Sequence, residues 1–167
     1  VSHILFVCTG NICRSPLAAG MLLTGLTEAG HAGLHTIESA GLHAVVDAPP
    51  TPSALKVAAS YGVDIRGHRA RAFEQRDFQR FDWIFALDSG HLDFLRQIRP
   101  RDCQGELSLL PSGSGTRKLE IADPYGRSHR AYERSARLIA IGVGVILAGM
   151  LERASAARLP ELNGRGR

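Results

Sequence analysis

Apolar positions along the chain follow two alternating periods. ILFV at residues 4–7 is an unbroken apolar run of strand length that stops at Cys8, the pattern of a strand buried on both faces. From Ser15 onward, SPLAAGMLLTGLTEAG spaces its apolar residues at helical intervals, with Ser15 expected to cap and Pro16 in the first turn. TIESA at 36–40 predicts a second short strand, and TPSALKVAASYG a helix that starts at Thr-Pro and stops at Gly62. AFEQRDFQRF predicts a short helix, DWIFAL a third strand running to Asp88, and SGHLDFLRQI a helix ended by Pro100. ELSLLP at 106–111 gives a fourth strand, PSGSGTRKLEIADPYG reads as a flexible polar loop, and residues 127–158 carry one long helical pattern.

Strands that alternate with helices predict a single-domain α/β fold: a four-stranded, mostly parallel sheet with helices on both faces and right-handed crossovers. The domain is expected over residues 1–160, with 161–167 a loose tail. Such sheets bind ligands beyond the carboxyl ends of their strands. Cys8 sits at such an end, so the loop after the first strand is the first place to look for chemistry.

Composition narrows the classes. With 44% hydrophobic and 22% charged residues, the chain is neither disordered nor fibrous. Its net charge of +4 favours anionic partners. The cations are scattered, however, and no zinc-finger or aromatic RNA-binding signature is present, so small anions are expected and nucleic acid is not. Cys8, Cys13 and Cys103 are an odd, sparse set with no secretory signal ahead of them, which points to a reducing cytoplasm. LIAIGVGVILAGML at 138–151 is shorter than the ~18–20 residues a bilayer needs. It is read as a buried helix whose glycines let it approach the sheet closely, and no membrane span is expected. Seven histidines include no HExxH spacing, and His31 and His35 are the only i, i+4 pair, so neither metal nor cofactor is expected.

CTGNICRS, residues 8–15, carries the chemistry. If Thr9, Gly10, Asn11, Ile12, Cys13 and Arg14 curl so that their N–H groups point inward, they form an anion nest at the positive end of the next helix. Gly10 and Asn11 tolerate the backbone conformations a closed cradle requires. Helix N-terminus, N–H groups and Arg14 together favour an anionic, nucleophilic sulfur at Cys8, to which Ser15 can donate a hydrogen bond. The Arg14 guanidinium can hold two phosphate oxygens in a fork that lysine does not reproduce. Asp123, in ADPY, is the expected proton donor for a leaving oxygen; Pro124 stiffens its setting and Tyr125 offers an aromatic wall. Taken singly, Cys8 reads as a small buried residue, Arg14 as a surface charge and DPY as a turn. Their conjunction carries the argument.

These residues resemble the low-molecular-weight protein tyrosine phosphatases, whose signature pairs an N-terminal Cys, five residues, Arg-Ser loop with a distant Asp-Pro loop. SAG at 39–41, GHRAR at 67–71 and FDWIFALDSGHL at 81–92 are similar to that family's intermediate blocks. The resemblance implies that Cys8 is the nucleophile, Arg14 the phosphate clamp and Asp123 the acid that later activates water. It implies a loop-supporting network of Asn11, Ser15, Ser39 and His68. Cys13 matches a second loop cysteine that can pair with the nucleophile and spare it from overoxidation; the other reading is that it packs under the loop. LHAVVDAPP after SAG lacks the aromatic that many members place on the pocket wall, so Leu42 or His43 is expected there with Ile12 and Tyr125.

Relatives with a similar loop include thiol-linked arsenate reductases and protein-arginine phosphatases. Ile12, where arginine phosphatases resemble Thr and arsenate reductases tend to Ser, favours phosphotyrosine, as does a single later cysteine, Cys103. A non-enzymatic phosphoprotein adaptor would have no use for Asp123. The implied partners are phosphotyrosine proteins, among them a bacterial tyrosine autokinase of exopolysaccharide export, with inorganic phosphate as product. A monomer or weak dimer is expected.

Overall fold

The computed structural model describes residues 1–114 and 117–158; the expected loose tail at 161–167 lies outside them. The elements in order are β1 His3–Cys8, α1 Arg14–Glu28, β2 Thr36–Gly41, α2 Pro52–Ser60, α3 Asp77–Arg80, β3 Trp83–Ala86, α4 Ser89–Ile98, β4 Glu106–Pro111, β5 Lys118–Leu119 and α5 His129–Arg158. The α/β class and the mostly parallel sheet match the reading of the sequence, but the sheet has five strands, not four. Its order is β2-β1-β3-β4-β5, with β1 through β4 parallel and β5 antiparallel to β4. The fifth strand is two residues long, too short for an alternating pattern to register, and lies in the stretch expected to be a flexible loop.

Side chains of β1 divide between two cores. Ile4, Phe6 and Cys8 belong to the cluster under α1, α2 and α5, while Leu5 and Val7 join Phe78, Leu92 and Leu95 of α3 and α4 on the opposite face. That two-sided burial is why the strand reads as a continuous apolar run. With β2 on one side of β1 and β3 on the other, strand order reverses at β1, and the crevice at its carboxyl end is the topological switch point. Cys8 ends β1 at that crevice.

By length and composition α5 is apolar enough to cross a membrane. Here Tyr132, Ala136, Ile139, Val143, Ile146 and Met150 form a stripe at alternating spacings of four and three that is buried in the first core. Its glycines differ. A Cβ on buried Gly142 would lie 2.9 Å from Leu110 Cβ, so that glycine permits close helix-to-sheet approach, whereas Gly144 faces open space. Gly144→Ala is therefore expected to stabilise the protein by about 0.5–1 kcal/mol, the ordinary cost of glycine inside a helix. Gly142→Ala should lower the urea unfolding midpoint; equal shifts for the two would contradict this packing.

Candidate active site

Six consecutive carbonyls define the loop after β1. Those of Cys8, Thr9 and Gly10 accept bonds from the N–H groups of Leu42 (2.9 Å), His43 (2.9 Å) and Val45 (3.2 Å). The Asn11 carbonyl accepts from His68 Nε2 at 2.8 Å, that of Ile12 from Thr51 N–H at 3.0 Å, and that of Cys13 from Leu17 N–H at 3.4 Å. With every carbonyl committed outward, the peptide N–H groups are turned inward; among the described residues, none from Thr9 to Cys13 donates within the protein. That is an anion nest, continuous with the N-terminus of α1.

Asn11 makes the turn. Its φ is +58°, the left-handed region expected for this residue, while Gly10 is not in that region. The side chain is fully buried and completely bonded: Nδ2 donates to Ser15 Oγ and Ser39 Oγ, each at 2.9 Å, and Oδ1 accepts the Arg71 N–H at 2.9 Å. Asn11, Ser15, Ser39 and His68 thus meet in one network. Burial holds His68 below the usual imidazole range, against its bond to the Asn11 carbonyl, so the neutral ring donates from Nε2 at neutral pH. Gly41 closes the packing from β2: a Cβ there would lie 2.5 Å from the Thr9 carbonyl oxygen.

Ser15 does not cap α1. The helix begins at Arg14 with Cys13 as its N-cap, and the Ser15 hydroxyl lies 2.9 Å from Cys8 Sγ, where it serves the thiol instead. Arg14 is almost wholly buried. Its Nη1 donates to Asp88 Oδ2 at 2.8 Å and to the Ile121 carbonyl at 2.9 Å, and its Nη2 lies 3.2 Å from Asp123 Oδ2. Asp123 itself is half exposed and accepts the Tyr125 N–H at Oδ1, 3.1 Å, a local turn that aims the carboxylate at the pocket mouth. Ile121 anchors this loop by donating its N–H to the Leu87 carbonyl at 2.9 Å.

A cavity of about 210 Å³ opens over the loop, lined by Cys8, Thr9, Gly10, Ile12, Cys13, Arg14, His43, Val45, Asp123 and Tyr125. Leu42, one of the two residues expected on the wall, is not there. Side chains alternate at the end of β2, so Leu42 follows Ala40 into the opposite core, beside Leu5 and Val7. Val45 stands at the wall with His43, Ile12 and Tyr125.

Sequence reasoning missed several contributors. The sequence marks Asp88 only as the end of a strand, yet it accepts the His91 N–H at 2.9 Å, which caps α4, while clamping Arg14. Its position at the carboxyl end of β3, next to β1, was the available signal. Burial would raise the Asp88 carboxyl, but hydrogen bonds from His91 and Arg14 outweigh it and hold the group well below the usual carboxylate range. His91 Nε2 lies 2.8 Å from Thr9 Oγ1 and ties α4 to the loop. Tyr132 and Thr51 flank Cys13, their hydroxyl oxygens each 3.4 Å from its sulfur. Burial pushes the Cys13 thiol up, and burial with the Cys13 bond pushes Tyr132 up to about 12, so both stay protonated at neutral pH.

The model of the low molecular weight phosphotyrosine protein phosphatase family matches residues 3–155. The protein-tyrosine-phosphatase Etp of Escherichia coli K12 is 36% identical over 154 residues, covering 92% of this chain and 90% of Etp. Among solved structures, the tyrosine phosphatase Wzb from Escherichia coli K30, in complex with sulphate, superposes with a TM-score of 0.76 at 30% identity, covering 89% of this chain and 98% of Wzb. Wzb of Vibrio vulnificus in complex with benzylphosphonate gives a TM-score of 0.77 at 28% identity, covering 89% and 98%.

Asp88 and the anion site can be tested together. Asp88→Ala should weaken binding of inorganic phosphate about tenfold, 1.4 kcal/mol by titration calorimetry, because the guanidinium loses its fixed partner. A carboxyl depressed in the folded state stabilises above its unfolded value and loses that contribution as pH falls. The stability gap between wild type and variant should therefore shrink below about pH 4.

Proposed function

Because the chain belongs to the low molecular weight phosphotyrosine protein phosphatase family and is a cysteine-dependent protein-tyrosine-phosphatase, we propose that it cleaves phosphotyrosine in proteins through a phosphocysteine intermediate. The observation that carries this reading is the convergence of Cys8, Arg14 and Asp123 on one cavity floored by inward N–H groups. Cys8 sulfur attacks phosphorus while the bond to the tyrosyl oxygen breaks. The flattening phosphoryl group, with its charge on the equatorial oxygens, is held by the loop N–H groups and by Arg14. Protonated Asp123 delivers its proton to the departing tyrosyl oxygen. The resulting carboxylate then takes a proton from the water that attacks phosphocysteine, which releases inorganic phosphate and restores the sulfur.

Ser15, 2.9 Å from Cys8 Sγ, steadies negative charge on the sulfur in both steps. Ile12, Val45 and Tyr125 form apolar walls suited to a phenyl ring, with His43 at the rim. Cys13 serves as a resolving thiol: peroxide converts Cys8 to the sulfenic acid, and the Cys13 thiol displaces water from it to leave a Cys8–Cys13 disulfide. Three free cysteines suit a reducing cytoplasm. The bacterial relatives Etp and Wzb are likewise protein-tyrosine-phosphatases, and the substrate proposed from the sequence resemblance is a tyrosine autokinase of exopolysaccharide export.

The test uses p-nitrophenyl phosphate beside phosphotyrosine, phosphoserine and phosphoarginine peptides. Phosphotyrosine is expected to be preferred. Cys8→Ser should abolish turnover, and Asp123→Asn should lower it by roughly 10²–10⁴-fold on phosphotyrosine, and by less on p-nitrophenyl phosphate, whose leaving group needs little protonation. Preference for phosphoarginine would move the assignment to protein-arginine phosphatases, and turnover surviving Cys8→Ser would overturn the mechanism. Cys103→Ala should leave phosphatase turnover intact, whereas a thiol-linked arsenate reductase relaying electrons through Cys103 would lose activity.

A further inference from the structure

Four charged side chains close a ring beside β2, away from the cavity. Arg71 Nη2 pairs with Glu38 Oε2 at 2.8 Å and Arg71 Nη1 with Asp77 Oδ2 at 2.9 Å; Arg80 Nη1 pairs with Asp77 Oδ1 at 3.2 Å and Arg80 Nη2 with Glu38 Oε1 at 3.0 Å. Asp77 is fully buried and also accepts the Glu74 N–H at 2.9 Å. Ion pairs at a surface are worth little singly, but a closed ring around a buried carboxylate fixes geometry.

The two arginines are near equivalents in the ring and differ in what their main chains do. The Arg71 N–H donates to Asn11 Oδ1 at 2.9 Å, and the Arg71 carbonyl accepts the Gly41 N–H at 3.0 Å. Phe73 N–H donates back to the Gly41 carbonyl at 2.8 Å, and His68 Nε2 donates to the Asn11 carbonyl at 2.8 Å. Residues 68–73 are therefore a strap that holds both the main chain and the side chain of the one left-handed residue in the phosphate loop. Arg80, on α3, shares the same two carboxylates and has no bond to the loop.

We infer that Arg71 is a positioning residue for the phosphate loop: its ion pairs with Glu38 and Asp77 fix the strap whose Arg71 N–H and His68 ring hold Asn11 in its left-handed turn. The left-handed conformation is costly for a residue with a Cβ and persists only where the surroundings over-determine it. A strap loosened at Arg71 lets Asn11 relax, and the N–H groups of the loop lose their common aim at the anion. The inference rests on the reading that this loop binds phosphate.

Arg71→Met and Arg80→Met each remove the same kind of ion pairs from the same carboxylates. Unfolding midpoint, kcat and KM for p-nitrophenyl phosphate, and the inhibition constant of inorganic phosphate are to be measured for both. Similar losses of stability are expected. The phosphate inhibition constant should rise about tenfold in Arg71→Met, a loss of 1.4 kcal/mol, and stay within about twofold of wild type in Arg80→Met. Arg71→Lys should recover part of the loss, since a point charge replaces the fork. In an Asn11→Ala background Arg71→Met should add a smaller loss than in wild type, because the strap then keeps only the bond from His68 to the main-chain carbonyl of residue 11. Equal inhibition constants for Arg71→Met and wild type, or for the two arginine variants, would overturn the inference. If Arg71→Met does not fold, Arg71→Lys against Arg80→Lys makes the same comparison. A wild type that binds phosphate but hydrolyses none of the phosphomonoesters would defeat the phosphatase reading while leaving this comparison of binding constants intact.

Discussion

The outward commitment of six carbonyls, Cys8 to Cys13, is the constraint on which the rest of the site depends. Peptide N–H groups point opposite to their carbonyls, so a loop whose carbonyls are all bonded outside presents its donors to a common centre. Five of the six partners come from distant parts of the chain, namely the segment after β2, the start of α2 and the strap at 68–73, and the sixth is Leu17 of α1 itself. Much of the architecture around the carboxyl end of β1 is a supply of donors for this one turn.

Arg14 brings the second constraint. A guanidinium this deeply buried must be paired, and it is met by Asp88, the Ile121 carbonyl and Asp123. The three partners are unequal. Asp88 is tied to α4 and held firmly ionised, so it fixes the guanidinium. Asp123 is half exposed on a loop and held only by its own local turn and by Arg14, so it is the less constrained partner. Two carboxylates beside one arginine thus separate into a fixed anchor and a more exposed neighbour by their surroundings alone.

A fixed core carries these demands. β1 is buried on both faces, which places Cys8 at the end of the most enclosed strand, and α5 lays a continuous apolar stripe under the same sheet. Close approach of α5 at Gly142 and of the loop at Gly41 shows where backbone rather than side chain fills the contact. Both glycines lie where two elements meet.

The sequence by itself determined what is local in origin. Period and composition identified the α/β alternation, the doubly buried first strand and the long final helix; residue chemistry identified the nest, the left-handed aptitude of Asn11 and Asp123 as a carboxylate at the cavity. Family resemblance supplied Ser39 and His68. Tertiary structure alone decided which residues meet across elements. Asp88 reaches Arg14 over a separation of 74 residues, and no pattern near either one records that meeting. Whether Leu42 or His43 lines the wall, and that Val45 joins it, turned on the path of the chain after β2, and whether Ser15 caps a helix or serves a thiol turned on where α1 begins. Strand β5 escaped because two residues carry no period. Local periodicity is written along a chain, whereas long-range pairing depends on strand order and packing, which emerge only when the elements are assembled.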